Sequence, residues 1–358
     1  MKELLQSIGL DRVDKYIYAY PLSGGMASDL FVYESEKEHR AIVKMLISPR
    51  NDAELKMFQH EVDALKNIPE IGANRCVPSL LIDITKYEPH SIYYYAMEYF
   101  DGETLKEYLE KSPPPWNWEK ALSYLYRIAT ALSYSSIRYV HRDLHFGNIY
   151  LVNSVKFSHE VYVDPGIRIL DFGCTKDMLL DAAGAWTENQ FRHFGAISTW
   201  SPEFIDNPST VTSAHDSWAL GVILFRLLTN DYPVKATSFG QLVDKYRGMD
   251  IDWKAIRELK LPYAVEQLLK NLLSFNPDVR FKTGVITAMC TDIFHRDLLD
   301  KNNHFIDTYM AGDASIHSCA RCGWIVGGRQ TNCNQCGNVL DEDTCAPILE
   351  TRNIARSP

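Results

Sequence analysis

Three groups of residues in this 358-residue chain have types and spacings suited to chemistry. Gly24 and Gly25 lie between two strand-like runs, where missing side chains let backbone N–H groups approach a phosphate. Nineteen residues on, "AIVK" puts Lys44 on a strand; seventeen further, Glu61 can pair with it and hold its ammonium towards two phosphates. The second group is the stretch "VHRDLHFGNIYL" at 140 to 151, with Asp171 downstream. Asp143, Asn148 and Asp171 carry carboxylate and amide oxygens. The third is "CARC" at 319 to 322 and, ten residues later, "CNQC" at 333 to 336. Thiolates of Cys319, Cys322, Cys333 and Cys336 can converge on one tetrahedral metal, and Gly323 and Gly337 suit the tight turns of two knuckles.

Positioning these groups requires a scaffold, and the patterning predicts one. Residues 16 to 35 read as two strands around a tight turn, and 40 to 47 as a third. On that third strand Ala41 and Val43 share one face, Ile42 and Lys44 the other. From Asp52 to Ile68 the apolar residues Leu55, Phe58, Val62 and Leu65 recur at helical steps, and 91 to 100 returns to strand composition. Helical stretches dominate beyond 103, notably 118 to 136, 215 to 229 and 263 to 274. The expectation is a β-rich first lobe, about 1 to 98, and an α-rich second, about 102 to 300. A polar linker at 301 to 316, a cysteine module at 317 to 345 and a tail at 346 to 358 would follow.

With 46% hydrophobic and 23% charged residues, the composition is that of a globular protein. A net charge of -9 argues against general attraction to nucleic acid or to an anionic membrane. The longest strongly apolar run, Trp218 to Phe225, is far shorter than a membrane span and reads as a buried helix. Residues 1 to 16 show no export signal, and the remaining cysteines, Cys76, Cys174, Cys290 and Cys345, show no disulfide spacing. A reducing, cytoplasmic location is expected.

Taken in order, the motifs resemble those of the eukaryotic-like (Hanks-type) serine/threonine protein kinase family over residues 10 to 300. "LSGGMASDL" resembles its glycine-rich loop, with Ser23 and Ser28 in place of the outer glycines, and Lys44 and Glu61 match its lysine–glutamate pair. Leu65 matches an apolar spine position. Met97 and "EYFDG" resemble the gatekeeper and hinge, His141-Arg142-Asp143 with Asn148 the catalytic loop, and Asp171-Phe172-Gly173 the metal-binding motif. The resemblance implies a bilobal α+β kinase fold with ATP and Mg²⁺ (or Mn²⁺) as cofactors. Asp143 would orient the acceptor hydroxyl and take its proton, and Asn148 and Asp171 would hold the metal. Lys44 would bind the α- and β-phosphates. Leu30, Ala41 and Tyr150 would border the adenine, and backbone groups of Glu98 and Phe100 would read it.

The acceptor is less plain. Asp143-Leu144-His145 with Gly147-Asn148 is similar to the loop of aminoglycoside- and choline-kinase-like phosphotransferases. Twenty-seven residues separate Gly173 from Ser201-Pro202-Glu203, however, and that tripeptide resembles the end of a protein kinase activation segment. Asp216 then resembles the aspartate that ties down the catalytic loop, and Arg280 the arginine that pairs with the glutamate, here Glu203. Protein substrates are therefore expected, with serine and threonine ahead of tyrosine. A small-molecule phosphotransferase and a nucleotide-binding pseudokinase scaffold are the rivals.

The chain departs from the family at several positions. His145 stands where a lysine usually contacts the γ-phosphate, so its charge depends on pH. Tyr150 replaces an aliphatic residue, Ala196 a threonine, and "NSVKFSHEVYVDPG" enlarges a hairpin near the site. Arg142 implies pairing with a phosphorylated activation-segment residue, for which Thr187, Thr175, Ser198 and Thr199 are candidates, Thr187 first. The cysteine module resembles a zinc ribbon with a structural Zn²⁺; disulfides or an iron site are the alternatives. Arg321 and Arg329 are offset by Asp341, Glu342 and Asp343, so a protein partner fits the module better than nucleic acid.

Overall fold

The computed structural model describes residues 2–22, 28–68, 76–136, 138–153, 166–177, 197–236, 238–295, 316–319, 325–327 and 345–347. Residues Lys2–Ser7 form α1. An antiparallel sheet follows: β1 (Arg12–Val13), β2 (Tyr16–Pro21), β3 (Asp29–Ser35), β4 (Arg40–Ile47), β5 (Leu80–Tyr87) and β6 (Ile92–Glu98), in the order β1-β2-β3-β4-β6-β5.

The period-two alternation of β4 divides this sheet between two cores. Ala41, Val43 and Met45 face outwards into a cluster with Phe31, Tyr33, Tyr18 and, from α1 and the residues after it, Leu5, Leu10 and Val13. The Tyr33 hydroxyl donates to the Leu10 carbonyl, pinning that cover. Ile42 and Lys44 face inwards, towards α2 (Asp52–Asn67), which starts where the Asn51 side chain accepts from the Glu54 N–H. Its apolar stripe is the predicted one, with Phe58, Val62 and Leu65 buried and Leu55 packed beside them. Glu61 is buried within that stripe, so the helix carries one charge into the core.

Beyond Glu98 come β7 (Gly102–Thr104), α3 (Leu105–Lys111) and α4 (Trp118–Ser135), the latter two capped by Thr104 and Asn117. The short β8 (Tyr139–Val140) precedes β9 (Ile149–Val152) and β10 (Ile167–Ile169), and β7, β9 and β10 make a second sheet. β9 and β10 pair antiparallel, and the segment between them from 154 to 165 lies outside the described residues. β11 (Lys176–Asp177) pairs with β8. Then come α5 (Pro202–Asp206), α6 (Ala214–Thr229), α7 (Phe239–Arg247), α8 (Trp253–Glu258), α9 (Tyr263–Leu272) and α10 (Thr283–His295). α6 is apolar almost all round and forms the central buried helix, as its sequence predicts.

Three short strands follow, β12 (Ile316–Cys319), β13 (Ile325–Gly327) and β14 (Cys345–Pro347), with β12 central and β13 packed against α10. Cys319 ends β12 opposite Cys345 on β14. Cys322, Cys333 and Cys336 lie outside the described residues. α1 and β5 are elements that the sequence reading did not anticipate.

Candidate active site

β4, α2 and the turn after β10 bring three charges together. Lys44 Nζ is 2.6 Å from Glu61 Oε2 and 3.6 Å from Asp171 Oδ1. Burial works against the Lys44 ammonium, but the charges of Asp171 and Glu61 outweigh it and hold its pKa above the usual lysine value. Lys44 in turn holds Asp171 below the ordinary carboxylate range. Asp171 adopts φ +62°, in the left-handed region, and accepts from the Gly173 N–H at 3.4 Å. Phe172 is buried, with its ring edge-on to His141.

The loop between β8 and β9 is anchored from below. The N–H groups of His141 and Arg142 donate to Asp216 Oδ2 and Oδ1, at 2.8 and 3.0 Å, from the first turn of α6. Arg142 also has positive φ, +66°, a strained conformation that this anchoring maintains. Asp143 follows, 8% exposed. Asn148 Nδ2 donates to the Asp143 carbonyl at 2.9 Å and lies 3.4 Å from Oδ2. Asp143 Oδ1 is buried with no hydrogen-bond partner among the described residues. Burial first, and the Asp171 charge second, push its carboxyl up to about 8, so this group can take a proton near neutral pH. An unspent acceptor oxygen beside a fixed amide and a fixed carboxylate fits a site for a hydroxyl next to a divalent cation.

His145 Nδ1 accepts the Gly147 N–H at 3.0 Å, which leaves the proton on Nε2, 3.8 Å from Asp143 Oδ2. Burial lowers the pKa of this ring, so it enters the site as a neutral N–H rather than a cation near pH 7. Gly147 is the residue that permits this: a Cβ there would stand 2.9 Å from His145 Cε1.

Of the residues expected to border adenine, Leu30 pairs with Lys44 across β3 and β4 and packs on the inner core. Ala41 is a correction. Strand alternation turns it into the outer cluster, away from Lys44, and Ile42 occupies the inward position beside Met97. Met97 is buried, and the Glu98 N–H is already donated to the Ser79 carbonyl. The Tyr150 hydroxyl donates to the Phe100 carbonyl at 3.0 Å, tying β9 to the segment after β6. Gly102 makes room for this, because a Cβ there would come 2.8 Å from the Tyr150 ring and 2.0 Å from the Leu151 carbonyl oxygen. Ser28 is half-buried beside β3, while Ser23, Gly24 and Gly25 lie outside the described residues.

Ser201 caps α5, whose Glu203 meets Arg280 in a buried fork. Arg280 also donates to the Ser274 and Ala214 carbonyls and covers the Trp218 ring. Among the four candidate phosphoacceptors, Thr175 and Thr199 are buried, and the Thr175 hydroxyl is donated to the Phe172 carbonyl. That burial removes both as acceptors in this conformation. Ser198 is half-buried, and Thr187 lies outside the described residues. Two hydrogen bonds near the site, Tyr150 to the Phe100 carbonyl and Ser201 Oγ to His215 Nδ1 at 2.8 Å, do not follow from the sequence pattern, although a tyrosine and a serine in place of aliphatic or small residues are a signal.

A family model described as the protein kinase domain matches residues 23–295. The chain is 26% identical over 287 residues to the probable serine/threonine-protein kinase PknB of Lactococcus lactis, a match covering 78% of this chain and 41% of that protein. It is 24% identical over 270 residues to the serine/threonine-protein kinase PrkC of Bacillus subtilis, covering 73% and 37%. A putative serine/threonine-protein kinase of Acanthamoeba polyphaga mimivirus is 26% identical over 241 residues, covering 60% and 48%. The chain thus spans less than half the length of these relatives.

Proposed function

The chain belongs to the protein kinase domain family, and from that premise we propose that it transfers the γ-phosphate of ATP to serine and threonine hydroxyls of proteins. The observation that carries this reading is the convergence of Lys44, Glu61 and Asp171 beside a buried Asp143 whose Oδ1 has no other partner among the described residues. Asn148 and Asp171 would hold Mg²⁺ or Mn²⁺, which, when bound with ATP, offsets the charge on the phosphate oxygens. Lys44 would fix the α- and β-phosphates, with Glu61 orienting the ammonium. Asp143 would accept the hydroxyl proton at its carboxylate, and the His145 Nε2–H would donate to oxygens gathered there. Leu30, Met97 and Tyr150, with backbone groups of Glu98 and Phe100, would enclose the adenine.

A protein acceptor is favoured over a small molecule by the Glu203–Arg280 fork, which anchors the end of the activation segment on α6 and the turn before α10. Phosphorylation of Ser198 or Thr187 would pair with Arg142 and order that segment. The cysteine module is read as a zinc ribbon that docks a protein partner, with Cys319, Cys322, Cys333 and Cys336 as ligands of a structural Zn²⁺. Metal content of the full chain against a Cys322→Ser variant tests it: about one zinc per chain, reduced in the variant, is expected. Among the described residues no helix is long and apolar enough to cross a membrane; the cytoplasmic assignment is part of this reading.

The test of the main reading is transfer from γ-labelled ATP with Mg²⁺, using wild type and Asp143→Asn, alone and with a generic basic protein. Label on protein serine or threonine that disappears in the variant is expected. Label on a small-molecule acceptor only, or nucleotide binding with no transfer to any acceptor, would overturn it.

A further inference from the structure

The first turn of α6 carries a second grip on the catalytic loop, next to Asp216. His215 is 1% exposed, and its ring stacks on Phe204 with centroids 4.6 Å apart. Nε2 is 3.1 Å from the Arg142 carbonyl oxygen, and Nδ1 is 2.8 Å from Ser201 Oγ. A carbonyl only accepts, so Nε2 carries a proton. Burial holds the ring neutral, its pKa pulled down to about 4, so Nδ1 offers a lone pair and the Ser201 hydroxyl donates to it. Ser201 Oγ also accepts the Phe204 N–H at 3.4 Å, so the hydroxyl is engaged on both sides.

The peptide between Arg142 and Asp143 is thereby held at both ends. His215 takes its carbonyl oxygen, while its N–H donates to His141 Nδ1 at 3.3 Å. His141 has the same tautomer, since its Nε2 donates to the Leu170 carbonyl, 3.0 Å away and one residue before Asp171. One imidazole leads to the metal-binding turn and the other to the end of the activation segment. The orientation of this peptide sets the direction of the Asp143 side chain, and Arg142 at φ +66° would relax without restraint.

We propose that His215 is a positioning residue through which the Ser201 hydroxyl, once seated, fixes the Arg142–Asp143 peptide and so aims Asp143. The kinetic part rests on the reading of Asp143 as the catalytic base. The device is specific to the pair: a serine beginning Ser-Pro-Glu and a histidine preceding Asp216 are both needed for the bridge to exist.

The experiment compares full-length wild type with Ser201→Ala, His215→Gln, His215→Leu and the Ser201→Ala/His215→Leu double variant. It reads kcat, KM for ATP, and hydrogen exchange across His141–Asp143 without nucleotide. Ser201→Ala should lower kcat about tenfold with KM for ATP within about twofold, and should speed exchange in the loop. His215→Gln, which keeps a donor for the Arg142 carbonyl, should lose less than His215→Leu. The double variant should be no worse than His215→Leu alone. Unchanged kcat and unchanged exchange in Ser201→Ala, or independent multiplication of the two effects, would overturn the proposal. If wild type transfers nothing to protein, the kinase reading falls and exchange alone decides: faster loop exchange in folded Ser201→Ala upholds the coupling, and unchanged exchange refutes it.

Discussion

Arg280 meets Glu203 through two parallel hydrogen bonds, Nη1 to Oε1 at 2.6 Å and Nη2 to Oε2 at 2.9 Å, across seventy-seven residues of chain. The guanidinium is completely buried and the carboxylate 20% exposed. Removing one partner leaves the other charge desolvated, so Arg280→Leu should cost about 3–5 kcal/mol. Arg280→Lys should fall between it and wild type, since an ammonium cannot reproduce the fork. Urea unfolding of the three proteins checks the order.

Lys44 and Asp143 should separate stability from turnover. Asp143→Asn is nearly isosteric and should keep the melting temperature while lowering kcat by about 10²–10⁴-fold. Lys44→Met strands Glu61 in the core and should lower both. Adding Glu61→Leu to Lys44→Met should restore much of the stability and none of the transfer, as paired thermal melts and label incorporation would reveal.

Gly102 and Tyr150 form one unit, because the Cβ absent from Gly102 would strike the backbone of Leu151 and the ring of Tyr150. Gly102→Ala must prise β7 from β9 and should destabilise by about 3 kcal/mol. Tyr150→Phe loses only the bond to the Phe100 carbonyl and should cost about 1 kcal/mol, with a rise of a few-fold in KM for ATP. Denaturation curves and steady-state kinetics test the pair.

Burial of His141 and His215 ties stability to acid. Each has its pKa lowered from 6.5 to about 4 in the folded chain. Between these values the unfolded chain binds protons that the folded one refuses, so the stabilisation is complete above about pH 6.5 and falls as pH drops towards 4. Each ring contributes a slope of about 1.4 kcal/mol per pH unit in that window. Asp216, raised from 3.8 to about 6 mainly by burial, acts in the opposite sense below pH 6. A difference measurement isolates the ring: stability of His215→Gln should decline less steeply from pH 6.5 to 4 than wild type, by about one proton. Equal slopes would contradict the buried neutral imidazole.

Much of the scaffold was legible because it is local. The alternation of β4 and the helical stripe of α2 together determine that Lys44 and Glu61 face each other, and the all-round apolarity of Trp218 to Phe225 marks the central helix. The placement of Ala41 at the nucleotide went astray at the same strand, where its own period of two turns that residue outwards. Contacts that depend on how distant loops meet were not legible. Nothing local says that the Tyr150 hydroxyl reaches the Phe100 carbonyl, or that the Ser201 hydroxyl donates to His215, fourteen residues away. α1 is not legible because its six residues are too few to establish a helical period.

The outer cover of the first sheet bears on how the protein can be cut. The family match begins at residue 23, yet α1, β1 and β2 all precede it. A fragment trimmed to that match would strip Leu5, Leu10, Val13, Tyr16 and Tyr18 from the apolar face formed by Phe31, Tyr33, Val43 and Met45. It would also leave β3 as an unpaired edge, a template for a second molecule to add a strand. Residues 2–22, which hold none of the proposed catalytic groups, thus cover both that apolar face and that strand edge.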